Sequence, residues 1–166
     1  EDSSDTRRGQ PAAYITYGLA VAINAGSWLY FDAPVCIDNL DCSENLKLRL
    51  YRIWTNELRR LHLGQAMDIS WHRNKMAHPT VEQYLSMVRC KTGTLASLAV
   101  KIGLASSGAC DDECDEAGLI ASDLGAGFQI IDDVLNLTKG NPGKKRGDDI
   151  VERKKSLPVN LCFEKF

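Results

Sequence analysis

Three stretches of this chain space their apolar residues at steps of three and four, which at about 100° per residue keeps them on one helical face. In the first two the same stepping also reaches charged or amide side chains. Leu46, Leu50, Trp54, Leu58 and Leu61 lead on to Gln65 and Asp68. Tyr84 and Val88 lead to Lys91 and then to Leu95, Leu98 and Ile102. The third stretch carries Ile120, Leu124, Phe128, Ile131 and Leu135 on one side, with Gly118, Ser122, Gly125, Gln129, Asp132, Asp133 and Asn136 on the other. No run of five or more residues alternates as a half-buried strand would. The pattern predicts an all-α fold.

A first helix is predicted to follow Pro11 and run to about Phe31. A second, capped by Ser43, continues to about Arg73, and a third opens on the Thr80 and Gln83 capping box and passes through Lys91-Thr92-Gly93 to about Ala105. A fourth covers roughly Asp115 to Leu137, and Ser156 opens a last apolar segment that reaches Phe166.

A carboxylate on a core face needs a cation or several donors to offset its desolvation. Asp68 therefore either has such partners or lies, with Gln65, where the helix leaves the core beyond Leu63. Lys91 has two readings of the same kind: its stem snorkels to the surface, or a kink at Thr92-Gly93 aims it inward. The polar side of the fourth helix holds small residues and short acids where a solvated face holds long Lys and Glu, and it reads as a cavity wall. Asp132 and Asn136 are neighbours on that wall, a spacing suited to oxygen ligands for a hard cation, and bound Mg²⁺ would relieve the repulsion between Asp132 and Asp133.

With 166 residues the chain fits one compact unit, and 20 Lys and Arg against 22 Asp and Glu leave a net charge of -2. No overall field holds such a chain on nucleic acid, so anion binding is local. The run from Lys144 to Asp149 with Arg153-Lys154-Lys155 is either a solvated loop or a cover over metal-bound phosphate. Arg7-Arg8 shortly after Asp2 suits phosphate gripped by planar guanidiniums. The longest apolar run, Tyr14 to Phe31, is broken by Asn24, Gly26 and Ser27, so no transmembrane segment is predicted, and the opening Glu-Asp-Ser-Ser-Asp is unlike a signal peptide. The 6 cysteines are irregularly spaced and are expected as free thiols in the cytoplasm. Cys36 with Cys42, and Cys110 with Cys114, lack zinc-site spacing.

Five motifs in order resemble the trans-type isoprenyl diphosphate synthases, the family of farnesyl and geranylgeranyl diphosphate synthases. Glu1 to Pro11 resembles the tail of the first aspartate-rich motif with its Arg pair, and Gly64-Gln65-Ala66-Met67-Asp68 the middle motif. Lys91-Thr92-Gly93 resembles the Lys-Thr motif, and Gly127-Phe128-Gln129-Ile130-Ile131-Asp132-Asp133-Val134-Leu135-Asn136 the second aspartate-rich motif. Lys145 and Lys154 fall where diphosphate-binding lysines would.

The resemblance implies an isoprenoid synthase-type helical bundle around a central cavity. Residues 1–166 would form a single partial polyprenyl synthetase domain, about the middle half of a family member, with helices missing at both ends and the first motif begun at its fourth position. It further implies Mg²⁺-triggered ionisation of an allylic prenyl diphosphate, attack by isopentenyl diphosphate and loss of a proton, carried out by a homodimer. Asp2, Asp68, Asp132, Asp133 and Asn136 would serve the metal. Arg7, Arg8, Gln65, Lys91, Lys145 and Lys154 would bind substrate, and Lys91, Thr92, Gln129 and Asp68 would act in catalysis. The 166 residues alone are expected not to elongate a prenyl chain. A non-catalytic subunit of a heteromeric synthase, a class I terpene cyclase and a helical interaction module are the alternatives.

Overall fold

The computed structural model describes residues 5–7, 9–74, 76–140 and 146–165. Asp2, Arg8 and Lys145 lie outside the described residues.

The first predicted helix is divided. A short antiparallel pair, β1 (Thr6–Arg7) and β2 (Gln10–Pro11), precedes α1 (Ala13–Tyr17) and α2 (Leu19–Asp32). The break falls at Gly18, whose φ of 83° is a conformation that only glycine adopts without strain. The strands have 2 residues each, too short to register as an alternating pattern. α3 (Val35–Asp38) follows.

The second and third predictions match closely. α4 (Glu44–Arg73) starts at Ser43, whose side chain accepts from the Leu46 amide at 3.3 Å. α5 (Val81–Val88) opens on the capping box: Thr80 accepts the Gln83 amide at 3.2 Å and Gln83 accepts the Thr80 amide at 2.9 Å. The interruption at Lys91-Thr92-Gly93 is a π-helical segment, Arg89–Gly93, which runs into α6 (Thr94–Ser106). A π turn carries an extra residue and shifts the phase of everything after it. Thr94 and Ser97 are therefore buried, while Leu95, expected on the core stripe, is 54% exposed.

α7 (Asp111–Thr138) begins earlier than the expected Asp115. Glu113 accepts the Cys110 amide at 2.8 Å, a bond that also holds its carboxyl below the usual range, and the acids of the first turn suit a helix N-terminus. α8 (Asp148–Val151) and α9 (Leu157–Lys165) complete the described elements.

α4 packs on α6 and on the π segment, and both of these pack on α7. One apolar cluster, Ile37, Leu50, Ala105 and Cys114, closes one end of this stack, and a second, Tyr84, Met87, Val88 and Ala126, closes the other. Between them the helices meet almost backbone to backbone. A Cβ on Gly125 would lie 2.7 Å from Gly93 Cα, and one on Gly64 would lie 2.8 Å from the Cys90 carbonyl carbon. The small side of α7 thus faces inward as the wall reading requires. Its apolar side does not find cover among the described residues: Ile120, Leu124 and Phe128 are 60%, 72% and 69% exposed.

The stripe on α4 also departs from expectation. Trp54 and Leu58 line an apolar groove of about 1060 Å³ against α2 and α3, while the position turned into the core is Glu57. That carboxylate is 2% exposed and is neutralised by Lys101 at 3.0 Å and Arg60 at 3.1 Å. Burial alone would push the Lys101 ammonium pKa down, but its hydrogen bonds to Asp115 and Glu57 outweigh this and raise it.

Leu19–Asp38 is long and apolar enough to cross a membrane by composition, with mean hydropathy 1.2, where Asn24, Gly26 and Ser27 led us to expect no such segment. α2 itself has 14 residues, about 21 Å of helix against a hydrocarbon core of about 30 Å, and Pro34 interrupts the path to α3.

The close approach makes a test. A Cβ at Gly93 would run into the Ser122 carbonyl and lie 2.6 Å from Ser122 Oγ, whereas one at Gly103 meets nothing within 4 Å. Gly93→Ala is expected to lower unfolding free energy by about 1–3 kcal/mol through overpacking, and Gly103→Ala to raise it by up to about 1 kcal/mol. Urea denaturation of the two variants measures both.

Candidate active site

The sequence rules that form α4, the π segment and α7 bring their polar residues to one small cavity. Its lining includes Asp68 from α4, Tyr84 and Met87 from α5, Lys91, and Gln129, Asp132 and Asp133 from α7, with Asp149, Lys154, Lys155 and Ser156 closing over it. The volume is about 60 Å³.

Asp68 is buried, which settles its two readings in favour of the core. The partner that desolvation demands is Lys91, whose Nζ donates to Asp68 Oδ2 at 2.5 Å, so Lys91 is aimed inward. His72 Nδ1 stands 3.8 Å from the other carboxylate oxygen. Gln65 is half-buried and is not part of the lining.

The π segment gives Lys91 and Thr92 their direction. Its irregular backbone is accommodated because the Arg89 carbonyl accepts hydroxyls from Thr94 at 3.3 Å and Ser122 at 3.4 Å. Thr92 Oγ1 donates to Gln129 Oε1 at 3.0 Å, and Gln129 Nε2 donates to Asp133 Oδ1 at 3.0 Å. Asp133 Oδ2 accepts from Tyr84 Oη at 2.6 Å and from the Leu157 amide at 3.0 Å. Burial, and then the charge of Asp133, raise the Tyr84 phenol pKa far above its ordinary value, so it remains a donor at any neutral pH.

These contacts separate the expected metal-binding residues. Asp132 is half-buried at the cavity, and Asp68 faces it from across the helix stack. Asp133 is 5% exposed with its oxygens engaged by three donors. Asn136 is 0% exposed and lies behind the wall, where its Oδ1 accepts the Asp149 amide at 3.3 Å and its carbonyl accepts the Gly147 amide at 2.9 Å. These two bonds tie it to the turn before α8. Lys154 lies at the cavity as expected, and its Nζ is 3.1 Å from Asp149 Oδ1. Arg7 sits in β1, exposed, and is not among the lining residues.

Among the described residues no three His, Cys, Asp or Glu side chains form a cage for a metal ion. The donor set fits Mg²⁺ nonetheless, because this hard ion prefers one or two carboxylates together with phosphate oxygens and waters. Sequence reading missed Tyr84 as a polar participant, and Asp149, Lys155 and Ser156 as lining. Tyr84 was counted as one more apolar residue on its stripe; a hydroxyl on a buried face was the available signal.

Residues 1–165 match the family model for polyprenyl synthetase. The chain belongs to the polyprenyl synthetase family. A geranylgeranyl pyrophosphate synthase from Aspergillus versicolor is 42% identical over 165 residues, covering 96% of this chain and 40% of that protein. The crystal structure of geranylgeranyl pyrophosphate synthetase from Pyrococcus horikoshii superposes with a TM-score of 0.88 at 31% identity, covering 99% of this chain and 50% of that one. A geranyltransferase from Helicobacter pylori, solved with magnesium and isoprenyl diphosphate, shares the fold at a TM-score of 0.83 and 24% identity, over 99% of this chain and 54% of that one. The all-α isoprenoid synthase bundle is thus the fold of this polyprenyl synthetase chain. It spans less than half the length of the curated relatives it matches.

The Asp68 and Lys91 pair should be energetically coupled. Lys91→Ala leaves a buried carboxylate uncompensated and is expected to cost about 1–3 kcal/mol, less than for a wholly enclosed pair because Lys91 is 30% exposed. In a double-mutant cycle with Asp68→Ala, the pair of changes should cost about 1 kcal/mol or more less than the sum of the single ones. Additive effects in denaturant unfolding would show that the contact carries no coupling.

Proposed function

We propose that the whole protein is a trans-prenyltransferase of isoprenoid biosynthesis that condenses an allylic prenyl diphosphate with isopentenyl diphosphate. The observation that carries the reading is the convergence of Asp68, Asp132, Lys91 and Lys154 on one cavity beside the Thr92 and Gln129 oxygens. Acids and ammonium groups in that order suit a metal-bound diphosphate, and neutral oxygen dipoles suit a cation that must not be quenched.

The allylic C–O bond breaks with both electrons leaving on the diphosphate. The isopentenyl double bond then attacks the resulting carbon, and loss of a proton forms the new double bond. Arg7, Lys91 and Lys145 hold the allylic diphosphate and Arg8 the other; Lys154 and Gln65 assist in binding. Mg²⁺, carried by Asp2, Asp68 and Asp132, would supply charge neutralisation for the departing diphosphate. Lys91 reaches a phosphate by leaving Asp68, which exposes that carboxylate at the same moment. Thr92 and Gln129 orient lone pairs toward the positive carbon. A homodimer in the cytoplasm is part of the reading. The exposed apolar faces of α2 and α7 leave surface for further helices of the whole protein and for a second subunit.

Asp132→Ala in the whole protein is expected to lower Mg²⁺-dependent turnover by about 10² to 10³-fold, the effect of removing a group that stabilises developing charge. It should also weaken Mg²⁺-dependent binding of inorganic diphosphate in calorimetry. Turnover and diphosphate binding like those of the parent would contradict the assignment.

A further inference from the structure

Hydrogen bonds along the cavity wall form a directed chain. Tyr84, 1% exposed, carries a hydroxyl that donates to Asp133 Oδ2 at 2.6 Å. A carboxylate has only acceptors to offer, so the face of the Gln129 amide that meets Asp133 Oδ1 at 3.0 Å must be its NH₂. The amide oxygen is then turned to Thr92, where it takes that hydroxyl's proton at 3.0 Å. With its proton spent, the Thr92 oxygen has lone pairs left to present.

From this directionality we infer that Tyr84 is a positioning residue: acting through Asp133, it fixes the orientation of the Gln129 amide and so the direction of the oxygen dipoles beside Lys91. The inference rests on the prenyltransferase reading, in which those dipoles face a carbocation. Asp133 is held from three sides, by α5 through Tyr84, by its own helix through Gln129 and by the start of α9 through the Leu157 amide. Of these only the Tyr84 hydroxyl can be deleted without touching backbone or the amide itself. Loss of it leaves a buried carboxylate short of a strong donor, free to turn toward the amide and release Gln129 from a single orientation.

The test compares two probes on the whole protein with Mg²⁺: inorganic diphosphate alone, and a tertiary-ammonium analogue of a prenyl cation added with inorganic diphosphate. Tyr84→Phe is expected to bind the ammonium analogue about tenfold more weakly, the scale of one hydrogen bond to a charged group, while its affinity for diphosphate is unchanged. Equal weakening of both probes, or no change in either, would overturn the positioning role while leaving the function intact. If the parent protein binds neither probe with Mg²⁺, the function and the inference fall together.

Discussion

The structure depends on how closely three backbones approach around the π segment. Gly64 on α4 and Gly125 on α7 lie on either side of it, and a Cβ at either position would meet main-chain atoms of Cys90 or Gly93. Ordinary side chains would hold these helices at a separation of about 8–10 Å. The absence of side chains is what lets Lys91 and Thr92 sit between acids carried by two other helices. The site is therefore built of regular elements, and its one irregular element is locked by contact, as preorganised charge stabilisation requires.

Charge placement follows the same logic at two depths. At the cavity face Asp68 is balanced by Lys91. In the cavity wall, Asp133 is balanced by a buried phenol, the Gln129 amide and a backbone amide. Two adjacent carboxylates of one sequence motif thus take different work: Asp132 borders the cavity and Asp133 anchors its wall. A comparable separation holds Glu57 and Lys101 in the opposite half of the stack, where Gly118 leaves room for the Lys101 stem.

Much of this was legible before the structure. Periodicity located α4 and the third helix, local capping chemistry fixed their starts, and the carboxylate of Asp68 on an apolar stripe signalled a need for a cation or several donors. Periodicity assumes an unbroken 3.6-residue turn, so it misplaced Leu95 once the π segment shifted the phase. It also assumes that apolar means inside. α7 turns its small side to backbone, which Gly118, Ser122 and Gly125 accommodate, and Ile120 and Leu124 find no cover among the described residues of a chain that spans less than half of its relatives. Glu57 escaped notice because its cations come from Arg60 nearby and from Lys101 on another helix. The spacing of Asn136 from Asp132 does not report that the turn before α8 folds back on it.

The central proposal is that this cavity takes a metal-bound diphosphate by opening the Asp68 and Lys91 pair while the Asp133 anchor in its wall stays fixed. A crystal structure of the whole protein with Mg²⁺ and inorganic diphosphate tests it directly. The account predicts Lys91 Nζ on a phosphate oxygen, Asp132 at about 2.0–2.1 Å from a metal ion, and Asp133 still bonded to Tyr84, Gln129 and the Leu157 amide. A metal ion ligated by Asp133 with the Tyr84 bond broken, or diphosphate bound with the Asp68 and Lys91 pair intact, would contradict it.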